Sequence, residues 1–260
     1  MIMNNPNTRY TRFDYIRGKN VHTLKEEECE LFFNNEYCTN YGLFISEYPT
    51  IPKINEEVEG VEVEGRNGNL TVKKGTYKDR SITFSFKLYD NELFWSKVDD
   101  AEEWLLNFTD NRLFYNRKDR CFSVKRVIIG DISKEVKLYG EFDVTFVCEP
   151  FMKDLKPSSY TFLENEKIII NTGHFDVEPL IELYGNGNLE ISINGESTII
   201  ENVSNKVIID SEFMACVDEN YNNKLIDMIG KFPRLIRGDN EIVVNNNVVK
   251  TNIKFINLYR

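Results

Sequence analysis

The chain has 260 residues and a formal net charge of −10, from 32 Lys plus Arg against 42 Asp plus Glu. That length allows two ordinary domains or one large β domain, and 41% hydrophobic with 28% charged residues excludes a disordered or fibrous chain. The acidic balance opposes binding to a polyanion through the overall field, and apolar runs such as Ile168–Ile170 and Val207–Ile209 are far shorter than the roughly 20 residues that cross a bilayer.

The N-terminus, Met1-Ile-Met-Asn-Asn-Pro6, lacks the basic start, apolar stretch and cleavage site of a secretory signal, so the chain is expected to be made and kept in a cytoplasm. Residues 1–30 read as an arm. Arg9, Arg12, Arg17 and Lys19 interleave with Tyr10, Phe13 and Tyr15 before the acidic stop Glu26-Glu27-Glu28. Such a pattern can pair with phosphates and stack on bases, and it serves equally well to dock on an acidic protein neighbour. The shortness of the segment and the acidity of the chain favour protein docking or plain surface.

From Leu31 onward, alternation predicts strands. Ile82, Phe84, Phe86 and Leu88 fall on one face against Ser81, Thr83, Ser85 and Lys87; Phe142, Val144, Phe146 and Cys148 repeat the scheme. Val61 and Val63, alternating with Glu62 and Glu64, predict another half-buried strand. Between these lies one helix over about Asn91–Phe108, whose Phe94, Val98, Ala101, Leu105 and Phe108 form a single stripe widened by Trp104. Its opposite side, Asp99, Asp100, Glu102 and Glu103, reads as a solvated face, with a subunit contact as the alternative. The arm's Arg9, Arg12 and Arg17 are matched by charge to this face on an adjacent subunit.

The polar stretch Asp154–Ser159 with Pro157 marks a domain boundary, giving an arm at 1–30, a first domain at 31–152 and a second at 153–260. Beyond it Leu189, Ile191 and Ile193 alternate, Gly185-Asn-Gly187 signals a turn, and Asn194-Gly195 signals a type I′ hairpin. Further strands are expected at 206–209, 241–244 and 251–258. Short strands separated by turns predict a β-sandwich.

Catalytic chemistry is sparse. The two histidines, His22 and His174, fall in different segments and offer no paired-imidazole or all-histidine metal site. Cys29, Cys38, Cys121, Cys148 and Cys216 form no Cys-x-x-Cys pair and read as buried or idle thiols. No nucleophile elbow, Walker loop or dinucleotide fingerprint occurs. Gly65-Arg-Asn-Gly68 and Arg237-Gly-Asp239 read as turns. Among so many carboxylates a glycosidase pair is conceivable, but no acid is marked by an apolar setting. The expectation is no enzyme, no catalytic, cofactor or metal residues, and no cofactor.

Ordered landmarks then carry a resemblance. Leu31-Phe-Phe-Asn-Asn-Glu-Tyr-Cys-Thr-Asn-Tyr-Gly-Leu43, Pro49-Thr-Ile-Pro52, the Gly65–Leu70 turn, the Ile82–Leu88 strand, Trp104-Leu105, and Gly140-Glu-Phe142 leading to Cys148-Glu-Pro-Phe151 resemble the N-terminal pattern of bacteriophage distal tail proteins. Ile170-Asn-Thr-Gly173, Glu178-Pro179, Gly185–Gly187, Ile193-Asn-Gly195, Ile209-Asp210 and Gly238–Ile242 are similar to that family's C-terminal domain. The resemblance covers residues 31–260 and leaves the arm unmatched.

What the resemblance implies is a mainly β, two-domain chain: a tail-tube-like β-sandwich or split barrel with one α-helix, and a galectin-like β-sandwich. It implies a homo-oligomer, a hexameric ring at the distal end of the tail tube in the virion tail tip, assembled in the bacterial host cytoplasm. Its implied partners are the tail tube protein, a tail-associated hub or lysin protein, and a receptor-binding protein or fibre, with no stable nucleic-acid binding and no membrane insertion. The alternative is a carbohydrate-binding module for host cell-wall glycan, for which residues 153–260 offer no tryptophan and only rings such as Tyr160, Phe162, Phe175, Tyr184, Phe213, Tyr221 and Phe232.

Overall fold

A computed structural model describes residues 31–89, 93–117, 119–136 and 139–260. The expected arm, with Arg9, Arg12, Arg17, His22 and Cys29, lies outside the described residues. The chain divides into two compact units between Met152 and Lys153, with Arg260 assigned to the first. It is mainly β, and among the described residues no helix is long and apolar enough to cross a membrane.

The first unit contains β1 (Leu31–Phe33), β2 (Glu36–Tyr37), β3 (Leu43–Ile45), β4 (Glu56–Val61), β5 (Leu70–Tyr77), β6 (Arg80–Tyr89), α1 (Phe94–Leu106), β7 (Arg112–Tyr115), β8 (Arg120–Ile129), β9 (Ser133–Val136) and β10 (Tyr139–Asp154). Its main sheet runs β2-β1-β7-β8-β10-β6-β3, with β9 also on β10. The antiparallel register Phe142↔Phe86, Val144↔Phe84 and Phe146↔Ile82 puts both predicted apolar rows on one buried face. Each fully buried large side chain contributes roughly 1.5–3 kcal/mol relative to exposure. The other face pairs polar groups across the same two strands: Thr83 with Thr145 at 2.8 Å, Ser85 donating to Asp143 at 2.6 Å, and Lys87 with Glu141 at 2.7 Å.

The predicted stripe of α1 is the face it buries, through Phe94, Val98, Ala101, Trp104 and Leu105. The helix begins at Phe94, and Asn91 and Glu92 lie outside the described residues. It stops at Leu106 because Asn107 leaves helical geometry, while its N–H still donates to the Glu103 carbonyl. Two bonds fix the helix on the first hairpin: Trp104 Nε1 donates to the Phe33 carbonyl at 3.0 Å, and Asn34 Nδ2 donates to the Trp104 carbonyl at 3.1 Å. Asn34 and Asn35 both have positive φ (46° and 63°), the geometry a two-residue I′ turn requires between β1 and β2.

One expectation fails here. The Val61 and Val63 segment is not half-buried; these residues are 40% and 43% exposed. β4 and β5 form a two-stranded sheet of their own, so neither face gains a second layer.

The second unit contains β11 (Ser158–Phe162), β12 (Glu166–Asn171), β13 (Leu180–Gly185), β14 (Gly187–Ile193), β15 (Glu196–Val203), β16 (Lys206–Asp210), β17 (Ala215–Asp218), β18 (Met228–Gly230), β19 (Gly238–Val244), β20 (Val248–Phe255) and β21 (Leu258–Tyr259). Two five-stranded sheets, β11-β20-β13-β16-β17 and β12-β19-β14-β15-β18, enclose one core. Ile181, Leu183, Val207, Ile209 and Ile253 of the first meet Ile169, Leu189, Ile191, Ile200 and Ile242 of the second. This is a β-sandwich. Asn194 (φ 52°) and Gly195 (φ 85°) make the predicted tight turn, with Ile193 opposite Glu196. The strand expected at 251–258 is divided between β20 and β21.

Candidate docking surfaces

In the β4–β5 hairpin, the pairs Val61↔Leu70 and Glu59↔Val72 place three apolar side chains on one face. Leu70 and Val72 are 41% and 43% exposed. Around them lie surface ion pairs, Lys73 with Glu56 at 3.0 Å and Lys74 with Glu59 at 3.2 Å, each worth little in water. A lone two-stranded hairpin is at best marginal in water. It exposes apolar surface that contributes nothing to its own unit.

A second surface lies beside α1. A cleft of about 470 Å³ is walled by Glu36, Asp100 and Glu103, with Lys97 also on its lining. Tyr41 stacks on Trp104, with centroids 4.7 Å apart and rings 15° from parallel. Burial, then the nearby Glu36 and Asp100, hold the Tyr41 hydroxyl above its ordinary pKa. Among the described residues no ion pair forms to Asp99, Asp100, Glu102 or Glu103.

In the second unit, Phe213, Met214, Tyr221, Leu225, Ile226 and Ile229 all stand exposed within one stretch. That stretch contains β17 and β18, the edge strands of the two sheets. A cleft of about 410 Å³ there is lined by Met214, Phe232 and Ile236 among apolar groups, with the Arg234–Glu178 ion pair (3.0 Å) on its wall. Among the described residues the buried Ser211 hydroxyl finds no hydrogen-bond partner, and Ser211 also lines this cleft. Of the rings weighed for glycan stacking, Phe162 is spent in the core, and Tyr160 and Phe232 pack against it. Tyr184 has the Lys206 and Lys250 ammonium groups 5.2 and 5.0 Å from its centroid, whereas Phe213 and Tyr221 are open to solvent.

Cys38, Cys121, Cys148 and Cys216 are buried; burial pushes the Cys148 thiol up to about 12 and the Cys216 thiol to about 11. His174 sets its ring edge-on to Tyr259 at 5.4 Å. The Arg237-Gly-Asp239 tripeptide, expected as a turn, is instead the entry to β19: Gly238 (φ 90°) and Asp239 already pair with Asn171 and Ile170, and only Arg237 lies outside the strand. No group of three or more His, Cys, Asp or Glu among the described residues could hold a metal. Lys206 and Asn252 converge on Glu182 at 2.7 and 2.8 Å; these hydrogen bonds, Asn252 first, hold its carboxyl below the usual range. Arg80 is buried where sequence gave no sign of it, its guanidinium bonded to the Pro150 carbonyl and 5.6 Å from the centre of the Phe122 ring.

The Cys148 thiol makes stability depend on alkaline pH. The folded chain keeps a proton that the unfolded chain releases above about 9, so the folded state loses relative stability as pH climbs from there toward 12. Urea titrations across this range should fall less steeply for Cys148→Ala than for the unaltered chain; parallel slopes would remove the thiol as a cause.

No family model matches the sequence, and no curated protein matches it. Among solved structures, the fold is similar to that of SPP1 Dit (gp 19.1), described as a paradigm of the hub adsorption apparatus in phages infecting Gram-positive bacteria. The TM-score is 0.72 at 12% sequence identity, over 90% of this chain and 100% of that one. The likeness is one of fold.

Proposed function

We propose that the chain is a structural phage tail protein that closes into a ring of six copies at the distal end of the tail tube, linking the tube to the tail tip or baseplate. It serves there as a docking hub for receptor-binding and tail-associated proteins. The observation that carries this reading is the fold match to a phage adsorption-hub protein over 90% of this chain. Within it, the first unit is the tube-like, ring-forming domain (31–152) and the second the galectin-like sandwich (153–260). The chain does its work by holding neighbours and has no catalytic step.

The surfaces fit that division of labour. A ring needs two unlike faces on each copy that close by rotation, and the β4–β5 hairpin supplies one apolar face that the monomer leaves uncovered. The exposed run from Phe213 to Ile229 supplies a separate apolar patch for a different partner.

Negative-stain electron microscopy of the purified protein, backed by light scattering, tests the ring. Sixfold particles are expected. A chain that stays strictly monomeric and is also missing from tail tips overturns the proposal.

A further inference from the structure

We propose that Asn67, in the turn joining β4 to β5, is a site of self-modification, at which the side-chain amide is lost through a succinimide closed with Gly68. Three features of the turn favour that reaction. Asn67 and Gly68 are both exposed, and among the described residues neither makes a hydrogen bond, so nothing holds the amide carbon away from the next nitrogen. Gly68 has no Cβ to obstruct the approach, and beyond its chain neighbours no described atom stands within 4 Å of where one would lie. Its φ of 79° lies in a region that glycine enters and leaves at little cost, so its nitrogen can swing onto the side chain.

Backbone context separates this pair from the other two Asn-Gly pairs of the chain. Asn186 Oδ1 accepts from the Asn205 N–H at 3.0 Å, and Gly187 stands opposite Val203 in the β14–β15 ladder. Asn194 is drawn to a neighbouring strand, its N–H donating to the Glu241 carbonyl at 2.9 Å. At Asn67 the Gly68 nitrogen gives its proton to water and bonds to the side-chain carbon; the bond from that carbon to the amide nitrogen breaks, and ammonia leaves with a proton from solvent. Water then opens the succinimide at either carbonyl. One opening gives aspartate, and the other gives isoaspartate, in which the main chain runs through the side-chain carbon. Nothing is oxidised or reduced. The product adds a carboxylate to a stretch that already holds Glu62 and Glu64, and it dates each copy at the hairpin that carries the exposed Val61, Leu70 and Val72.

The full-length chain, kept dilute in warm, mildly alkaline buffer and sampled over time, is cleaved with pepsin in acid, which stalls the reaction, and its peptides are read by mass spectrometry. Fragment ions should place the mass gain of an acid for an amide at Asn67, roughly tenfold or more ahead of Asn186 and Asn194, whose hydrogen bonds must break first. In guanidinium chloride, where those bonds are gone, the three sites should react at comparable rates. Gly68→Ala, at an exposed turn that tolerates change, should lose the gain at Asn67 while its circular dichroism stays that of the unaltered chain. Asn186 or Asn194 reacting as fast as Asn67 in the folded chain, an Asn67 lead that survives in denaturant, or an undiminished gain in Gly68→Ala each overturns the proposal. The readout is taken on the chain alone and does not depend on ring formation.

Discussion

Val61→Glu together with Val72→Glu should abolish ring formation while leaving the unfolding free energy of the chain within about 0.5 kcal/mol, the usual range for exposed substitutions. Both side chains lie on the apolar face of the β4–β5 hairpin and are already wet in the single copy, so little core is lost. In an assembled ring the same face would be dry, and burying an unpaired carboxylate there costs several kcal/mol. At about 1.4 kcal/mol per tenfold, each contact weakens by two orders of magnitude or more. Sedimentation or light scattering on the double variant, beside a thermal melt, reads both halves. Rings that persist would remove the hairpin from the interface, and a collapsed melt would show that the face stabilises the monomer.

Phe146→Ala should cost about 3–5 kcal/mol, a large part of the roughly 5–15 kcal/mol that holds an ordinary domain folded. Phe146 is fully buried on β10, with its ring 5.2 Å from Phe33 and 5.7 Å from Phe84, centroid to centroid. It joins the β6–β10 ladder to the hairpin on which α1 rests. Removing it opens a cavity bounded by rigid aromatic edges that cannot collapse inward. Urea unfolding followed in the near ultraviolet would report the loss; a shift below about 1 kcal/mol would mean that this core is far more plastic than its packing implies.

Most of the fold is written in short-range patterns. On β6 and β10 the period of two is strict, and one face of the sheet is packed, so alternation and burial agree residue by residue from Ile82 to Leu88. For α1 the four-and-three spacing likewise selects the buried stripe, and Asn194-Gly195 signals its own turn. The docking surfaces were less legible because alternation reports amphipathic shape and says nothing of what covers the apolar side. Val61 and Val63 read like the valines of a packed strand, yet no second layer reaches them. The patch from Phe213 to Ile229 lacks any period, since its side chains come from turns, a single 3-10 turn and two short edge strands. Arg80 gave no warning either: an arginine at the start of a strand ordinarily reaches water, and only the pairing opposite Cys148 buries it.

The Asn194-Gly195 turn also bears on how the protein ages. In a free peptide an asparagine followed by glycine is prone to deamidate, because the unhindered glycine nitrogen can swing onto the carboxamide carbon. Here that carboxamide is tied at both ends, its nitrogen donating to Asn240 Oδ1 at 2.9 Å and its oxygen accepting from the Glu241 N–H at 2.9 Å. Cyclisation must first break both ties. Of the three Asn-Gly sequences in the chain, Asn67-Gly68, Asn186-Gly187 and Asn194-Gly195, the last is thereby kept in a slow-reacting shape.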